Sequence, residues 1–372
     1  MRIVYLFPST IPSRSANSIH IMKMCQAFAK NGHEVILIIP DKKKDREKKI
    51  QDVYTYYGVD TCFEIIKIPW LKIKGLRRRF FALLAAIKAK NNRPSIVYTR
   101  CIFCCFFAIS FGLSVIFEIH APMENKKKIQ KLLFSKVIKS SKLQNIVVIT
   151  HSLKEHYEEK YPLREGLIRI APDGADPVSK NAIPVVLPNK DHRLQVGYVG
   201  HLYKGKGFEE IVSRLPTICE FADFHILGGR DDLLNLYKKK YSKIKNLKFH
   251  GYMPHAKTVV YLLAFDIVLL PNQNIMYTSD KDRDIGQWTS PLKLFEYMAA
   301  GRPIIASNIP VLREILEDEG NALLCQPDDV QAWSFALKRL QDKDLRHKLG
   351  FKAYKDFMNN YTWKIRAQKI LS

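Results

Sequence analysis

The feature that most constrains this chain is an alternation of short apolar runs with longer amphipathic stretches, repeated in two series. Residues 3–7, 34–39, 96–98, 114–119, 145–149 and 167–170 read as strands of the first series. Residues 195–199, 221–227, 246–250, 266–270, 303–306 and 322–325 read as strands of the second. Strands that are apolar on both faces belong to parallel sheets covered by helices on each side. The expected fold class is therefore α/β, with two doubly wound domains in tandem. A length of 372 residues suits two cores better than one. Residues 177–192, rich in Pro, Asn and small side chains, read as the linker. The boundaries that follow are 1–178, a linker at 179–192, and 193–354. Early in the first series, a polar loop at 9–18 precedes a helix at 19–30 that Asn31-Gly32 ends.

Charge narrows the partners. The chain carries 60 Lys and Arg against 36 Asp and Glu, a net +24. Residues 1–180 hold +17 of that excess and the remainder +7, so the first half is the surface-seeking one. Anionic partners are expected, whether phosphates on small molecules, nucleic acid or lipid headgroups. A hydrophobic content of 47% excludes disorder as the main state. Seven cysteines without regular spacing do not form a disulfide framework and fit reduced thiols in a cytosolic compartment. Cys101-x-x-Cys104 has no second pair at ligand spacing and reads as buried helix thiols. Residues 1–8 read as a buried strand rather than a signal peptide. The apolar run 102–117 is too short to span a membrane, and Gly112 interrupts it. It is expected to be a buried helix followed by a strand, in a soluble or peripheral protein.

Three segments carry chemistry. In residues 290–301, Ser290 is a hydroxyl cap and Pro291 the first helical residue. The free amides of Leu292 and Lys293 then form a site for a diphosphate. Glu296 is the lone acid of this helix, and Gly301 closes it. In residues 197–207 a strand runs through a Gly-rich turn into a helix, with Lys204 or Lys206 adding charge. Residues 70–93 hold eight Lys and Arg and no acid, with Leu76, Phe80, Leu83, Leu84 and Ile87 at helical spacing. That is the profile of a helix lying on anionic lipid, with Lys72, Lys74, Arg77, Arg78, Arg79 and Phe80 as contacts. Residues 125–143 add seven more Lys, and 42–49 form a further basic run.

These residues together resemble the family 4 glycosyltransferases, retaining enzymes of the GT-B architecture, in which two Rossmann-like domains face a central cleft. The resemblance runs through residues 290–301, Tyr198-Val-Gly-His-Leu-Tyr203 with Lys206-Gly207, Gly228-Gly229, Phe249-His-Gly-Tyr252 and Asp266-Ile-Val-Leu-Leu-Pro271. In the first half it includes Val97-Tyr-Thr-Arg100, Glu118-Ile-His-Ala-Pro122 and Ala171-Pro-Asp-Gly-Ala-Asp176. Tyr361-Thr-Trp363 and Arg366-Ala367 are similar to the family's closing helix, which implies that residues from about 355 to 372 pack back on the first domain.

What the resemblance implies can be stated by residue. Glu296 matches the second acid of the family's E-x7-E motif, which binds the nucleotide ribose. Lys206 matches the basic residue that neutralises the leaving diphosphate, and His120 the first-domain His beside the donor sugar. Gly251 and Tyr252 fall where a loop meets the base. Asn17 and Ser18 lie in the loop 12–20, at the place of the family's glycine-rich loop, and His20 follows them. Two positions depart from the pattern. Trp288 stands where the first acid is expected, and His201 stands in place of an Arg, leaving Lys204 or Lys293 to complete the phosphate clamp. Arg283, Asp284 and Gln287 are further candidates for the donor sugar.

The implied activity is transfer of a sugar from a nucleotide-diphospho-sugar (UDP first, GDP next) to a hydroxyl of a lipid-linked or surface-glycan precursor. No cofactor beyond that co-substrate and no metal is expected. The expected location is cytoplasmic, at the inner face of the membrane. Two alternatives stand beside this: a sugar-nucleotide epimerase of the same fold, and an inactive relative that binds anionic membrane or nucleic acid. Against nucleic acid, the basic runs lack base-stacking modules and zinc spacings.

Overall fold

The computed structural model describes residues 1–41, 50–71, 73, 75–188, 192–277 and 284–372. The basic run at 42–49, together with Lys72, Lys74 and Arg283, lies outside the described residues. The chain divides into two units, one of Met1–Pro172 with Trp363–Ser372 and the other of Asp173–Thr362.

The first unit is built on seven parallel strands: β1 (Arg2–Leu6), β2 (Glu34–Asp41), β3 (Glu64–Pro69), β4 (Ile96–Thr99), β5 (Val115–Ile119), β6 (Leu143–Val148) and β7 (Ile168–Ile170). Their order, β3-β2-β1-β4-β5-β6-β7, is doubly wound and reverses direction between β1 and β4. Ile3, Val4, Tyr5 and Leu6 of β1 are all fully buried, as a central strand covered on both faces requires. The helix after β1 spans Ala16–Lys30, three residues earlier than the apolar pattern predicts, because Ser15 accepts the Ser18 amide and caps it. The apolar run resolves as expected into the helix Ile102–Ser110 and strand β5. β3 was not foreseen. It is an edge strand with half of its residues exposed, and so lacks the continuous apolar run of its neighbours.

The second unit holds six parallel strands: β8 (Leu194–Val199), β9 (Ala222–Leu227), β10 (Leu247–Gly251), β11 (Ile267–Leu270), β12 (Ile304–Ser307) and β13 (Leu323–Cys325). Their order, β10-β9-β8-β11-β12-β13, reverses between β8 and β11. Trp333, fully buried, anchors one side of this sheet, and its indole N–H donates to the Gln326 carbonyl.

Two boundaries differ from the sequence reading. The expected linker 179–192 follows a division at Pro172, and its Val185 amide donates to the Val260 carbonyl of the second unit. The helix Lys343–Asn360 also stays with the second unit. Its Gly350 packs so closely on Gly301 that a Cβ there would strike the Gly301 carbonyl. The chain therefore returns at Trp363 rather than near 355, and the helix Trp363–Leu371 belongs to the first unit.

Among the described residues, no helix is long and apolar enough to cross a membrane. The helix Arg77–Asn91 packs inward through Phe81, Ala82, Ala85, Ala86 and Ala89. Small residues make its inner face, so Leu76, Phe80 and Ile87 remain exposed beside Arg77 and Lys88. Leu83 and Leu84, expected on that same stripe, are half-buried. Arg79 lies over the Phe103 ring at 5.7 Å.

Candidate active site

In the second unit the site residues collect where the strand order reverses. The loop after β8 and the loop after β11 meet there. Gly207, at φ +79, sits so close to the Pro271 carbonyl that no side chain fits, and the Gln273 amide donates to the Gly205 carbonyl. Glycine thus lets the two loops touch, and Lys206 between Gly205 and Gly207 is carried to the carboxyl ends of the strands. Its ammonium lies 3.2 Å from the Met276 sulfur, and burial pulls its pKa down to about 8.

The helix expected from residue 290 spans Leu292–Ala299, with Pro291 as its cap. The Ser290 hydroxyl does not cap it and instead accepts the Asp173 amide at 3.0 Å. This moves the free first-turn amides one residue along the chain, an ordinary shift for a helix end. Gly301, at φ +62, ends the helix as expected. Lys293 sits with its ammonium 4.6 Å from the Tyr198 ring centroid. Burial, then the charge of Lys206, pulls it down to about 7 against the pull of Glu296. Two lysines therefore lie close enough to repel each other, a cost that an anion between them would remove. His201 stacks on Tyr203 at 4.9 Å and is lowered by loss of water around its ring and by Lys206, Lys293 and Arg230. Lys204 is exposed. Gly251 ends β10, and its carbonyl accepts from Gly228; Tyr252 follows it and is partly buried.

Glu296 meets a partner that the sequence reading missed. His255 Nε2 lies 2.6 Å from its Oε1, from the first position of the helix His255–Leu262. The signal available in sequence was Pro254 before His255, a helix start just past the β10 turn.

In the first unit, His120 follows β5 directly and meets the buried carboxylate of Glu118 through its Nε2. Glu118 also accepts from the Tyr98 hydroxyl and from Arg366 Nη1 at 3.4 Å, and its Oε1 lies 3.0 Å from His20 Nε2 and 3.2 Å from Arg366 Nη2. Burial alone would raise its pKa, but Arg366, His20 and His120 hold it well below the usual carboxylate range. Among the described residues of this unit, His20, Glu118 and His120 lie close enough together to hold a cation, and Arg366 already supplies Glu118 with a positive charge. Asp-x-Asp spacing occurs at Asp342-Lys343-Asp344, where Asp342 caps the helix that follows it, and in Asp280-Lys281-Asp282-Arg283-Asp284, of which only Asp284 lies within the described residues and accepts the Met276 and Gly286 amides.

The first-unit loop differs from expectation in one residue. Asn17 is exposed and lines a cavity, whereas Ser18 is fully buried and spends its hydroxyl on the Ser13 and Ser15 carbonyls at 2.9 and 2.8 Å. Ser18 braces the loop and is not available to a ligand. Arg78, expected on the membrane face, lines the same cavity. Cys101 is also not a fully buried thiol: it lines the cavity, while Cys104 and Cys105 are buried.

Comparison with known proteins places this geometry in a class. Residues 18–178 match the family model described as Glycosyltransferase Family 4, and residues 193–343 match Glycosyl transferases group 1. The chain belongs to the family 4 glycosyltransferases. A phosphatidyl-myo-inositol mannosyltransferase of Mycobacterium leprae is 26% identical over 168 residues, 45% of this chain and 42% of that protein. Spore coat protein SA of Bacillus subtilis is 28% identical over 189 residues, 47% of each. The matches span about half the length of these curated relatives. Among solved structures, sucrose-phosphate synthase from Thermosynechococcus elongatus aligns with a TM-score of 0.73 at 17% identity, over 99% of this chain and 97% of that one. Anabaena HepE in complex with UDP aligns with a TM-score of 0.73 at 12% identity, over 100% and 98%. These likenesses establish the fold, two Rossmann-like domains of the GT-B class.

Proposed function

We propose that the chain is a retaining glycosyltransferase that moves a sugar from a nucleotide-diphospho-sugar to a hydroxyl of a glycan or glycolipid acceptor. The observation that carries this reading is the pair Lys206 and Lys293, two partly buried, mutually repelling ammonium groups at the switch point of the second-unit sheet. A donor diphosphate satisfies both, together with the first-turn amides beside Lys293. His255 fixes the Glu296 carboxylate, which accepts the ribose hydroxyls. As the bond from the anomeric carbon to phosphate oxygen breaks, charge grows on the diphosphate and Lys206 stabilises it. The acceptor oxygen bonds to the anomeric carbon on the face the diphosphate leaves, and a leaving phosphate oxygen takes the acceptor proton. This route uses neither a carboxylate nucleophile nor a metal. In this reading His120, held by Glu118, is the histidine that contacts the sugar.

HepE was solved with UDP, which supports UDP as the first nucleotide to test and GDP as the next. In a thermal-shift panel of UDP, GDP, ADP and CMP, one diphosphate is expected to stabilise the wild type. The gain at a hundredfold excess over Kd is about 2.7 kcal/mol. Glu296→Ala should lose that shift. A flat response to all four nucleotides removes the donor site from the reading.

The lowered lysines give this binding a pH signature. They are only partly protonated in the empty site near pH 8, and an adjacent diphosphate raises both. UDP binding should therefore take up protons between about pH 7 and 9, and affinity should fall with rising pH, about tenfold per unit for each proton taken up. Calorimetry in two buffers of different ionisation enthalpy measures the uptake. Equal heats in both would show that the lysines do not meet the diphosphate.

The exposed Leu76, Phe80 and Ile87 among the arginines of Arg77–Asn91 support a peripheral site on an anionic membrane. A mannosyltransferase named for a phosphoinositide among the relatives is consistent with it. Sedimentation with vesicles containing phosphatidylglycerol, but not with phosphatidylcholine alone, is the expected result.

A further inference from the structure

The Cys101-x-x-Cys104 spacing reads in sequence as two buried thiols, but the fold gives the two sulfurs different surroundings. Cys101 is the residue immediately before the helix Ile102–Ser110, in an extended conformation, and Cys104 is the third residue of that helix. Those are the two positions whose side chains converge in a capping box, the cap reaching forward and the third residue reaching back. The backbone holds this turn closed. The Cys105 amide donates to the Cys101 carbonyl at 2.9 Å, and the Cys101 amide donates to the Thr99 hydroxyl at 3.1 Å. Three helical residues rise about 4.5 Å, within the Cα separation of about 4.4–6.8 Å that disulfides bridge.

Access differs between the two. Cys101 is partly exposed and lines a cavity of about 290 Å³ in the first unit, whereas Cys104 is fully buried. A hydrogen bond from the Cys104 thiol, then the amides of Cys104 and Phe103 and the charge of Arg78, hold Cys101 below the usual thiol range against burial. The other six cysteines are all pushed up, each chiefly by loss of water around the sulfur. An accessible sulfur therefore sits in hydrogen-bond contact with a second sulfur that solvent cannot reach. A single thiol at a helix start would be ordinary. The bonded partner supplies a resolving group.

We propose that Cys101 and Cys104 form an oxidation site for peroxides that closes reversibly as a disulfide, with Cys101 attacking and Cys104 resolving. The Cys101 thiolate attacks one oxygen of hydrogen peroxide, the O–O bond breaks, and the departing hydroxide takes up the proton that the thiol released. The sulfur has then given two electrons to the peroxide and carries a hydroxyl as sulfenic acid. The Cys104 sulfur attacks that sulfur, the S–O bond breaks, and hydroxide leaves with the Cys104 proton as a second water. Two thiols and one peroxide thus give one disulfide and two waters, and a dithiol such as dithiothreitol reverses the change. Neither step draws on the donor site, so the oxidation site stands apart from the transferase reading.

The full chain, reduced and then freed of reductant, is titrated with hydrogen peroxide and quenched with iodoacetamide. Peptide mass spectrometry with fragmentation places the bond. Cys62, exposed elsewhere in the same unit, is the internal reference. The expected product is a peptide lighter by two hydrogens with Cys101 joined to Cys104, restored by dithiothreitol. It should form at peroxide concentrations about tenfold or more below those that oxidise Cys62. Cys104→Ala should stop at the Cys101 sulfenic acid, which dimedone traps. Cys105→Ala should still close the disulfide, which separates Cys104 from its neighbour as the resolving thiol. Oxidation of Cys101 no faster than Cys62, or a bond from Cys101 to any thiol other than Cys104, overturns the proposal on the wild-type chain, whatever the variants do. The UDP thermal shift of the same reduced sample keeps the two readings apart. Its absence sinks the donor site and leaves the oxidation site standing, and its presence with an inert Cys101 does the reverse.

Discussion

Lys206→Ala is expected to lower kcat by about 10²–10³-fold, the usual loss when one preorganised charge-stabilising donor is removed. KM for the donor should change far less. The ammonium meets a diphosphate that is only partly released charge in the ground state and gains most in the transition state. The same variant should be no less stable than the wild type, because the folded chain holds this lysine at a cost. Burial lowers it to about 8, so the unfolded chain binds its proton more tightly than the folded one. The sign follows from proton linkage. Stability lost to Lys206 is full below about pH 8 and vanishes only above pH 10.5, where both states are neutral. The melting advantage of Lys206→Ala should therefore shrink as pH rises through that window. Activity that falls while stability holds identifies a functional cation. Activity that falls in step with melting temperature would mean a structural one.

The two sheets were legible because buried parallel strands leave continuous apolar runs, and every such run in 195–325 became a strand within two residues of its expected bounds. The edge strand β3 left no such mark, since half of its side chains face water. Loops were legible only where backbone geometry restricts residue type. The glycines around Lys206 announced a tight turn but not its neighbour, which the structure shows to be the loop Pro271–Gln273. Ser290 misled by one residue because a hydroxyl before Pro is a good cap unless another amide takes it, and Asp173 lies 117 positions away in sequence. Distance in sequence also hid His255 from Glu296 and Arg366 from Glu118, since each pair is made by the fold and not by spacing. The basic surface was read as a single membrane face. Its division, with Arg78 and Lys126 turned toward a cavity, depends on side-chain direction that periodicity cannot supply.

Arg366→Met should be the most destabilising change in the first unit. Glu118 is 1% exposed and Arg366 2% exposed. Removing one partner of a buried ion pair leaves a charge without compensation and costs about 3–5 kcal/mol. More than a pair is lost here. The guanidinium also donates to the Pro172 carbonyl at 2.8 Å and the Ala171 carbonyl at 3.1 Å, so it fastens the returning helix to the end of the first-unit strands. The pH dependence follows from Glu118. In the wild type its pKa is depressed, so its contribution is present above the unfolded carboxylate value near 4.3 and is lost only as pH falls through the lower folded one. Without Arg366, burial becomes the dominant influence and the pKa moves up. The variant is then penalised more as pH rises from 4 toward 7, and the gap in unfolding free energy widens over that range. Adding Glu118→Gln removes the stranded charge and should recover most of the loss, while the severed carbonyl bonds remain unrepaired. Urea unfolding of the single and double variants at pH 4.5 and pH 7 measures both effects. A gap that does not change with pH, or a double variant no more stable than Arg366→Met, would show that Arg366 acts through helix docking alone and that Glu118 is not held ionised by it.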